Sequence, residues 1–388
     1  MPPRPLAEIA AEAGLERIHV LAWRDLLDPE AGGSEVHAAR VAAAWAAAGL
    51  DVTLRTSSAA GQPAYSFRDG YRVIRKSGRY AVFPRAALSG LIGRTGPRDG
   101  LVEVWNGMPF FSPLWARSPR VVVLHHVHAE MWRMVIKPAA LARIGELIEF
   151  RLAPPVYRRS RIITLSESSR AEIVELLGMR PERVEVIPPG VDDTFSPGGA
   201  RSANPLVVAV GRLVPVKRFD RLVDALVELR KAHPTLEAVI VGEGYERPAL
   251  EARIQAAGAG AWLRLPGRLS DSELIDLYRR AWVLTSASAR EGWGMTITEA
   301  GACGTPAVVT DIAGHRDAIV PGVSGLLTDD LVVDLDRVIR EPACRAALGA
   351  GAIRRAEDLR WEVTARRTLE ALAAEALAAP GRRRVAVP

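Results

Sequence analysis

The sequence predicts an α/β protein made of two doubly wound, parallel-sheet Rossmann-like domains, and three observations lead there. At 388 residues the chain exceeds what one ordinary hydrophobic core fills, so two domains are expected. Short β-branched runs alternate with alanine- and leucine-rich stretches of helical length. The short runs are apolar throughout instead of alternating with polar residues, as parallel strands covered on both faces require.

In the first half, strands are expected over residues 18–23, 51–56, 101–105, 121–125, 161–165 and 184–187. In the second half they are expected over 206–210, 238–241, 263–265, 282–285 and 307–310. Helices are expected between them, over 34–48, 143–157, 169–177, 219–232, 245–257, 271–280 and 298–303. Proline and glycine crowd the stretch from Pro188-Pro189-Gly190 to Asn204-Pro205 and stop both helix and strand. That break marks a linker over 191–205, between a first domain at 1–190 and a second at 206–360. Residues 361–388 read as one long amphipathic helix over 361–377, packing back across the join, followed by an arginine-rich tail. Two such sheets are expected to face each other across a cleft with their carboxyl edges, where open α/β folds bind ligands.

Composition narrows the function. Hydrophobic residues make up 48% and charged residues 25%, which is the balance of a soluble globular protein. No stretch approaches the roughly 18 uninterrupted apolar residues of a membrane span. Residues 1–13 carry Arg4, Glu8 and Glu12 without a long apolar run, so a cytoplasmic protein without a signal peptide is expected. Peripheral contact with the inner face of a membrane stays open, because residues 132–161 mix Trp132, Arg133, Lys137, Arg143, Arg151, Arg158 and Arg159 with apolar side chains. Cys303 and Cys344 are too few for a disulfide framework or a cysteine-rich zinc site. The net charge of +6 suits an anionic ligand such as a nucleotide phosphate or a lipid headgroup. Nucleic acid is not expected, since no helix-turn-helix, zinc or RNP-like pattern occurs.

The richest stretch is Ala287 to Ala300, which follows a strand, carries Gly292 and Gly294, and enters a helix expected to hold Glu299 in its first turn. Glycines allow close backbone approach to a ligand, and free amides at a helix start attract phosphate. A carboxylate there suits ribose hydroxyls, two of which it can accept at once. Glu291, eight positions earlier, borders the other end of the same ligand. The bland alternative makes both glutamates ordinary surface residues. Arg212 and Lys217 leave the first strand of the second half and form a natural diphosphate clamp. The alternative for them is solvated loop charge, which Arg218 beside Lys217 favours for at least one.

In the first half, Ala31-Gly32-Gly33-Ser34-Glu35 reads as a tight loop capping a helix, at the carboxyl edge after the first strand. His37 inside that helix reads as a surface or satisfied histidine. His125, His126 and His128 cluster at a strand end; sugar hydrogen bonding is preferred over zinc, because no convincing further ligand accompanies them. Gly242-Glu243-Gly244 lacks the third glycine of a dinucleotide fingerprint and reads as a turn with room for a base nearby.

With these residues the chain resembles the retaining glycosyltransferases of family 4, group 1, which have the GT-B fold. The resemblance covers nearly the whole chain and is strongest from Leu206 to Leu327. It implies that Glu299 holds the donor ribose, and that Glu291 with Gly292, Trp293, Gly294, Met295 and Thr296 holds the transferred sugar and its β-phosphate. Arg212 and Lys217 match the family's diphosphate clamp, and Arg268 with Leu269 match the loop that reads the base. Gly32 and Gly33 resemble the glycine loop near the phosphates, and His125 with His128 the pair lining the sugar site. The first half matches only in short patches, and Trp23-Arg24-Asp25 has no place in the pattern. By resemblance the reaction needs no metal and no cofactor. It moves a hexosyl group, such as mannosyl, from GDP-mannose or a UDP-hexose to a glycan, lipid or small-molecule acceptor. Rival readings are a nucleotide-sugar epimerase of the same architecture, a non-catalytic sugar-nucleotide binding protein and, less well supported, a Rossmann dehydrogenase.

Overall fold

The computed structural model describes residues 3–135 and 138–379. The chain forms two compact units, one made of residues up to Gly190 together with those from Trp361 onward, the other of Val191–Arg360. The arginine-rich tail and Lys137 lie outside the described residues.

The first unit carries β1 (Arg17–Leu21), β2 (Asp51–Thr56), β3 (Tyr65–Arg68), β4 (Tyr71–Arg75), β5 (Gly100–Trp105), β6 (Arg120–Leu124), β7 (Arg161–Thr164) and β8 (Val184–Val186). They form one sheet in the order β3-β4-β2-β1-β5-β6-β7-β8. Every neighbouring pair is parallel except β3 with β4, which are antiparallel. The alanine-rich helix Gly33–Ala47 buries Val41, Ala42 and Trp45. Small side chains let it approach the helix Trp361–Ala378, where Ala365, Leu369 and Leu372 are fully buried. Trp45 Nε1 donates to the Ala365 carbonyl at 3.0 Å, satisfying the indole where water cannot reach.

β3 and β4 depart from expectation. Their residues read Tyr-Ser-Phe-Arg and Tyr-Arg-Val-Ile-Arg, an alternation unlike the apolar runs of the central strands. A hairpin at the sheet edge needs only one covered face, so such alternation suffices. The helix expected over 143–157 starts earlier and changes pitch. Ala139–Leu147 is α-helical, Ile148–Leu152 is one π-helical segment, and Ala153–Tyr157 follows with prolines in its first turn.

The second unit carries β9 (Leu206–Val210), β10 (Glu237–Val241), β11 (Leu263–Gly267), β12 (Val283–Ser286), β13 (Ala307–Thr310) and β14 (Gly325–Thr328). All pairs are parallel, in the order β11-β10-β9-β12-β13-β14. The winding reverses between β9 and β12, which opens a crevice at their carboxyl ends. Val207, Ala209, Leu222, Leu226, Ile240 and Val308 fill the core beneath. β14 was not anticipated, because Gly325 and Thr328 bound only two leucines. The stretch 191–205 lies against this unit: Arg279 Nε donates to the Ser196 carbonyl at 2.8 Å, and Trp282 Nε1 to that of Ser202 at 2.7 Å.

Candidate active site

The candidate residues divide between the units. In the second unit, the loops after β9 and β12 meet at the winding reversal. The Ala289 N–H donates to the Val216 carbonyl at 2.8 Å, and the Lys217 ammonium donates to Glu291 Oε1. Ser288 Oγ donates to the same carboxylate oxygen at 2.9 Å. The chain then turns through Gly294, whose φ of +98° suits only glycine, into the helix Met295–Ala302. That helix begins earlier than the expected 298, so Glu299 sits in its second turn, not its first. Gly314 packs against this segment so closely that a Cβ there would lie 2.4 Å from the Glu291 carbonyl oxygen.

The two glutamates are pulled in opposite directions. Burial raises the Glu291 carboxyl, but the Lys217 ammonium, His315 and the hydrogen bonds outweigh it, leaving the group below the ordinary carboxyl range. Burial pushes Glu299 up to about 7; the Tyr278 hydroxyl, 3.3 Å away, opposes the shift, and Asp271 and Asp192 add to it. His315, which sequence reasoning missed, is fully buried beside Gly294 and donates from Nδ1 to the Thr310 carbonyl at 2.8 Å. That bond puts the proton on Nδ1 and leaves Nε2 as an acceptor without a hydrogen-bond partner among the described residues.

Arg212 is half-buried in the β9 loop, and Met295 and Thr296 are half-buried at the helix start. Gly292 is buried, and so is Trp293, under the Arg355 guanidinium at 5.6 Å from the ring centroid. Arg268 and Leu269 follow β11 and sit at the same carboxyl edge, with β10 between them and β9. The Gly242-Glu243-Gly244 turn leaves no room for a base where it meets the β9 loop. A Cβ on Gly242 would lie 1.9 Å from the Gly211 carbonyl oxygen, and one on Gly244 2.2 Å from that of Leu213. The Leu213 N–H donates to the Glu243 carbonyl at 2.9 Å, so this turn braces the loop that carries Arg212 and Lys217.

In the first unit, Gly32 and Gly33 start the helix after β1 and are fixed by Glu35. Its carboxylate accepts the Gly32 N–H at 2.8 Å, Ser34 Oγ at 2.9 Å and Arg24 Nε at 3.1 Å. Asn106 Nδ2 donates to Ser34 Oγ at 2.8 Å, tying in the loop after β5. Trp23-Arg24-Asp25 now has a place: buried Asp25 pairs with Arg68 at 3.0 Å and Arg75 at 3.1 Å, latching the β3–β4 hairpin to this loop. His37 is buried, not on the surface, and its Nδ1 shares a 2.9 Å hydrogen bond with His125 Nε2. Burial lowers both imidazoles, His37 to about 4, so they are neutral. His128 is half-buried and tilts against Trp132, with ring centroids 5.2 Å apart, and Gly107 leaves the space beside its Nε2. The two histidines expected to act together thus have different surroundings. Among the described residues, no group of three His, Cys, Asp or Glu side chains could hold a metal ion.

The fold is that of the GT-B glycosyltransferases. Sucrose-phosphate synthase from Thermosynechococcus elongatus matches with a TM-score of 0.77 at 20% identity, over 90% of this chain and 96% of that one. Anabaena HepE in complex with UDP-glucose matches at 0.72 and 18% identity, over 91% and 98%. The profile for Glycosyl transferases group 1 matches residues 191–352, and that for Glycosyltransferase Family 4 matches 31–195. A D-inositol 3-phosphate glycosyltransferase from Kineococcus radiotolerans is 31% identical over 297 residues, 66% of this chain and 67% of the relative. Its counterpart from Frankia alni is 35% identical over 234 residues, 54% of this chain and 58% of that relative. The chain matches little more than half the length of several such relatives. It belongs to glycosyltransferase family 4, the group 1 glycosyl transferases.

Proposed function

We propose that the chain moves a hexosyl group from a nucleotide diphosphate sugar to an acceptor hydroxyl, with retention at the anomeric carbon and without a metal ion. The observation that carries this reading is the meeting of Lys217, Glu291 and the start of the helix Met295–Ala302 at the winding reversal, with Glu299 one turn further on.

When the bond from the anomeric carbon to the β-phosphate oxygen breaks, negative charge grows on the departing diphosphate. Lys217, Arg212 and the free N–H groups at the helix start supply fixed positive charge there, in place of a cation. The acceptor oxygen forms the new bond on the same face, and its proton passes to the departing phosphate oxygen. No protein base is assigned. Glu299 in its ionised form accepts from the ribose hydroxyls, while Glu291 and the backbone of 292–295 orient the transferred sugar. Arg268 and Leu269 are assigned to the base; the family resemblance assigns Gly32 and Gly33 to the phosphates and His125 and His128 to the sugar.

UDP-glucose, as bound in HepE, and GDP-mannose are the first donors to assay. The relatives' name makes D-inositol 3-phosphate the first acceptor, ahead of glycans and lipid-linked sugars. Lys217→Ala and Glu299→Ala are each expected to lower kcat/KM by about 100-fold or more, the scale of losing one charge-stabilising group, with circular dichroism unchanged. Undiminished turnover in either folded variant sinks the assignment. Proton NMR of the product reads the anomeric configuration. Release of free nucleotide diphosphate without an acceptor, and no glycoside with one, would instead identify an epimerase.

Peripheral membrane contact at the inner face belongs to the same reading. The helix Ala139–Leu147 leaves Leu141, Ile144 and Leu147 about half exposed beside Arg143, an apolar-basic mixture suited to anionic lipid. No described helix is long and apolar enough to cross a membrane. Failure to co-sediment with phosphatidylglycerol vesicles at low salt ends this part of the proposal.

A further inference from the structure

The outer strands of the first unit and the helix Val82–Leu91 do not close on each other. Register places Arg55 of β2, Ile74 of β4 and Tyr65 of β3 in one row across the sheet. Between this row and the helix lies a cavity of about 650 Å³, a size that takes a small molecule.

Four cations line it, Arg55, Lys76, Arg85 and Arg94, and no carboxylate does. None of the four is in an ion pair with any described residue. Neighbouring arginines are treated differently: Arg68 and Arg75 pair with Asp25, and Arg79 with Asp28 and Glu30. Charge compensation was therefore available in this part of the sheet and was not extended to the cavity.

Arg55 is the sharpest case. It is only 5% exposed, donates through Nη2 to Ser89 Oγ at 3.0 Å and the Arg85 carbonyl at 3.3 Å, and among the described residues has no partner for Nε. Burial, and then Arg85, depress its pKa. A guanidinium taken from water without a counter-charge destabilises the fold, and a bound anion offsets that. Ser77, Ser89 and Thr95 add hydroxyls to the wall, and Tyr65, Leu88 and Ile92, each more than half exposed, add apolar surface. The proposed clamp residues Arg212 and Lys217 belong to the other unit.

We propose that this cavity is a second ligand site, binding a phosphate group through Arg55, Arg85 and Arg94 with the body that bears it against Leu88, Ile92 and Tyr65. A phosphate monoester carries about −1.5 to −2 at pH 7, and guanidinium groups grip it with paired hydrogen bonds. Lys76 already stacks on the Tyr65 ring, 4.2 Å from its centroid, and closes one end.

The test is isothermal titration calorimetry on the full chain, with inorganic phosphate and with monomeric dihexanoyl phosphatidic acid as probes. Binding is expected for the wild type and at least tenfold weaker in Arg55→Gln and in Arg85→Gln/Arg94→Gln. The second variant alters only exposed side chains and guards against loss of fold in the first. If the lipid phosphate binds tenfold or more tighter than inorganic phosphate, the site takes a lipid headgroup; equal affinity assigns a soluble phosphate. Heat from neither probe, or equal affinity in all three proteins, overturns the proposal. Sugar-transfer assays play no part in the readout, so its failure leaves the catalytic reading intact.

Discussion

Glu291 and Glu299 stand eight positions apart and have opposite electrostatics, because one faces an ammonium and the other only a phenol. The Glu299 value of about 7 lies above the ordinary carboxyl value of 4.5, so the folded state holds a proton that the unfolded chain releases. The resulting penalty is absent below pH 4.5, grows between 4.5 and 7, and is constant above. Glu299→Gln is therefore expected to raise Tm at pH 8 by about 2–4 °C, for an effect on the order of 1 kcal/mol at a partly exposed group, and by less at pH 5.5. An equal gain at both pH values, read by scanning fluorimetry, removes the burial argument. The proposed hold of Glu299 on the ribose needs the ionised carboxylate, so UDP affinity is expected to fall from pH 8 to pH 6 more steeply in the wild type than in Glu299→Gln. The diphosphate titrates identically against both proteins, so only the difference between them reports on Glu299, and parallel pH profiles would exclude it from the ribose.

At the scale of elements, the β3–β4 hairpin pairs with β2 through β4 and is further latched to the first unit by one carboxylate. Asp25 is fully buried and compensates Arg75, also buried, and Arg68. Asp25→Asn leaves two guanidinium groups without their partner and is expected to destabilise the protein by about 3–5 kcal/mol, measured by urea unfolding; a loss under about 1 kcal/mol would show that the latch is idle. The same latch explains why the hairpin was hard to read. Arg68, Arg72 and Arg75 make the two strands look solvated, and the compensation of Arg68 and Arg75 comes from a loop more than forty residues earlier, that of Arg72 from Asp51 on the adjacent strand. The central strands were legible because Val121 to Leu124 and Leu206 to Val210 are apolar on both faces. Lys217 and Glu291 stand out in the sequence because short glycine-bearing loops carry them, and Glu299 because its helix follows such a loop; the structure brings the first two into contact. His315 and Glu35 were not, since their significance rests on the Thr310 carbonyl and on Arg24 and the Gly32 amide. Gly242 and Gly244 show a related limit: a glycine announces a close approach without saying whether ligand or backbone makes it.

At the scale of the molecule, the first unit is discontinuous in sequence and the second is not. The helix Trp361–Ala378 contributes Ala365, Leu369, Leu372, Ala373 and Ala376 to the core that includes Trp45, Ile18 and Val102. Leu372 also fills the space left by Gly100, where a Cβ would lie 2.8 Å from its side chain. Each fully buried leucine contributes about 1.5–3 kcal/mol, so this helix supplies much of a typical margin of about 5–15 kcal/mol. A fragment ending at Gly190 is therefore expected not to fold, whereas Val191–Arg360, whose sheet and core are complete in one segment, is expected to unfold cooperatively on heating. Joining residues 361–379 to the first fragment through a flexible linker should restore its near-ultraviolet circular dichroism. A cooperative transition from the 1–190 fragment alone would mean that the helix merely covers a core already sufficient without it.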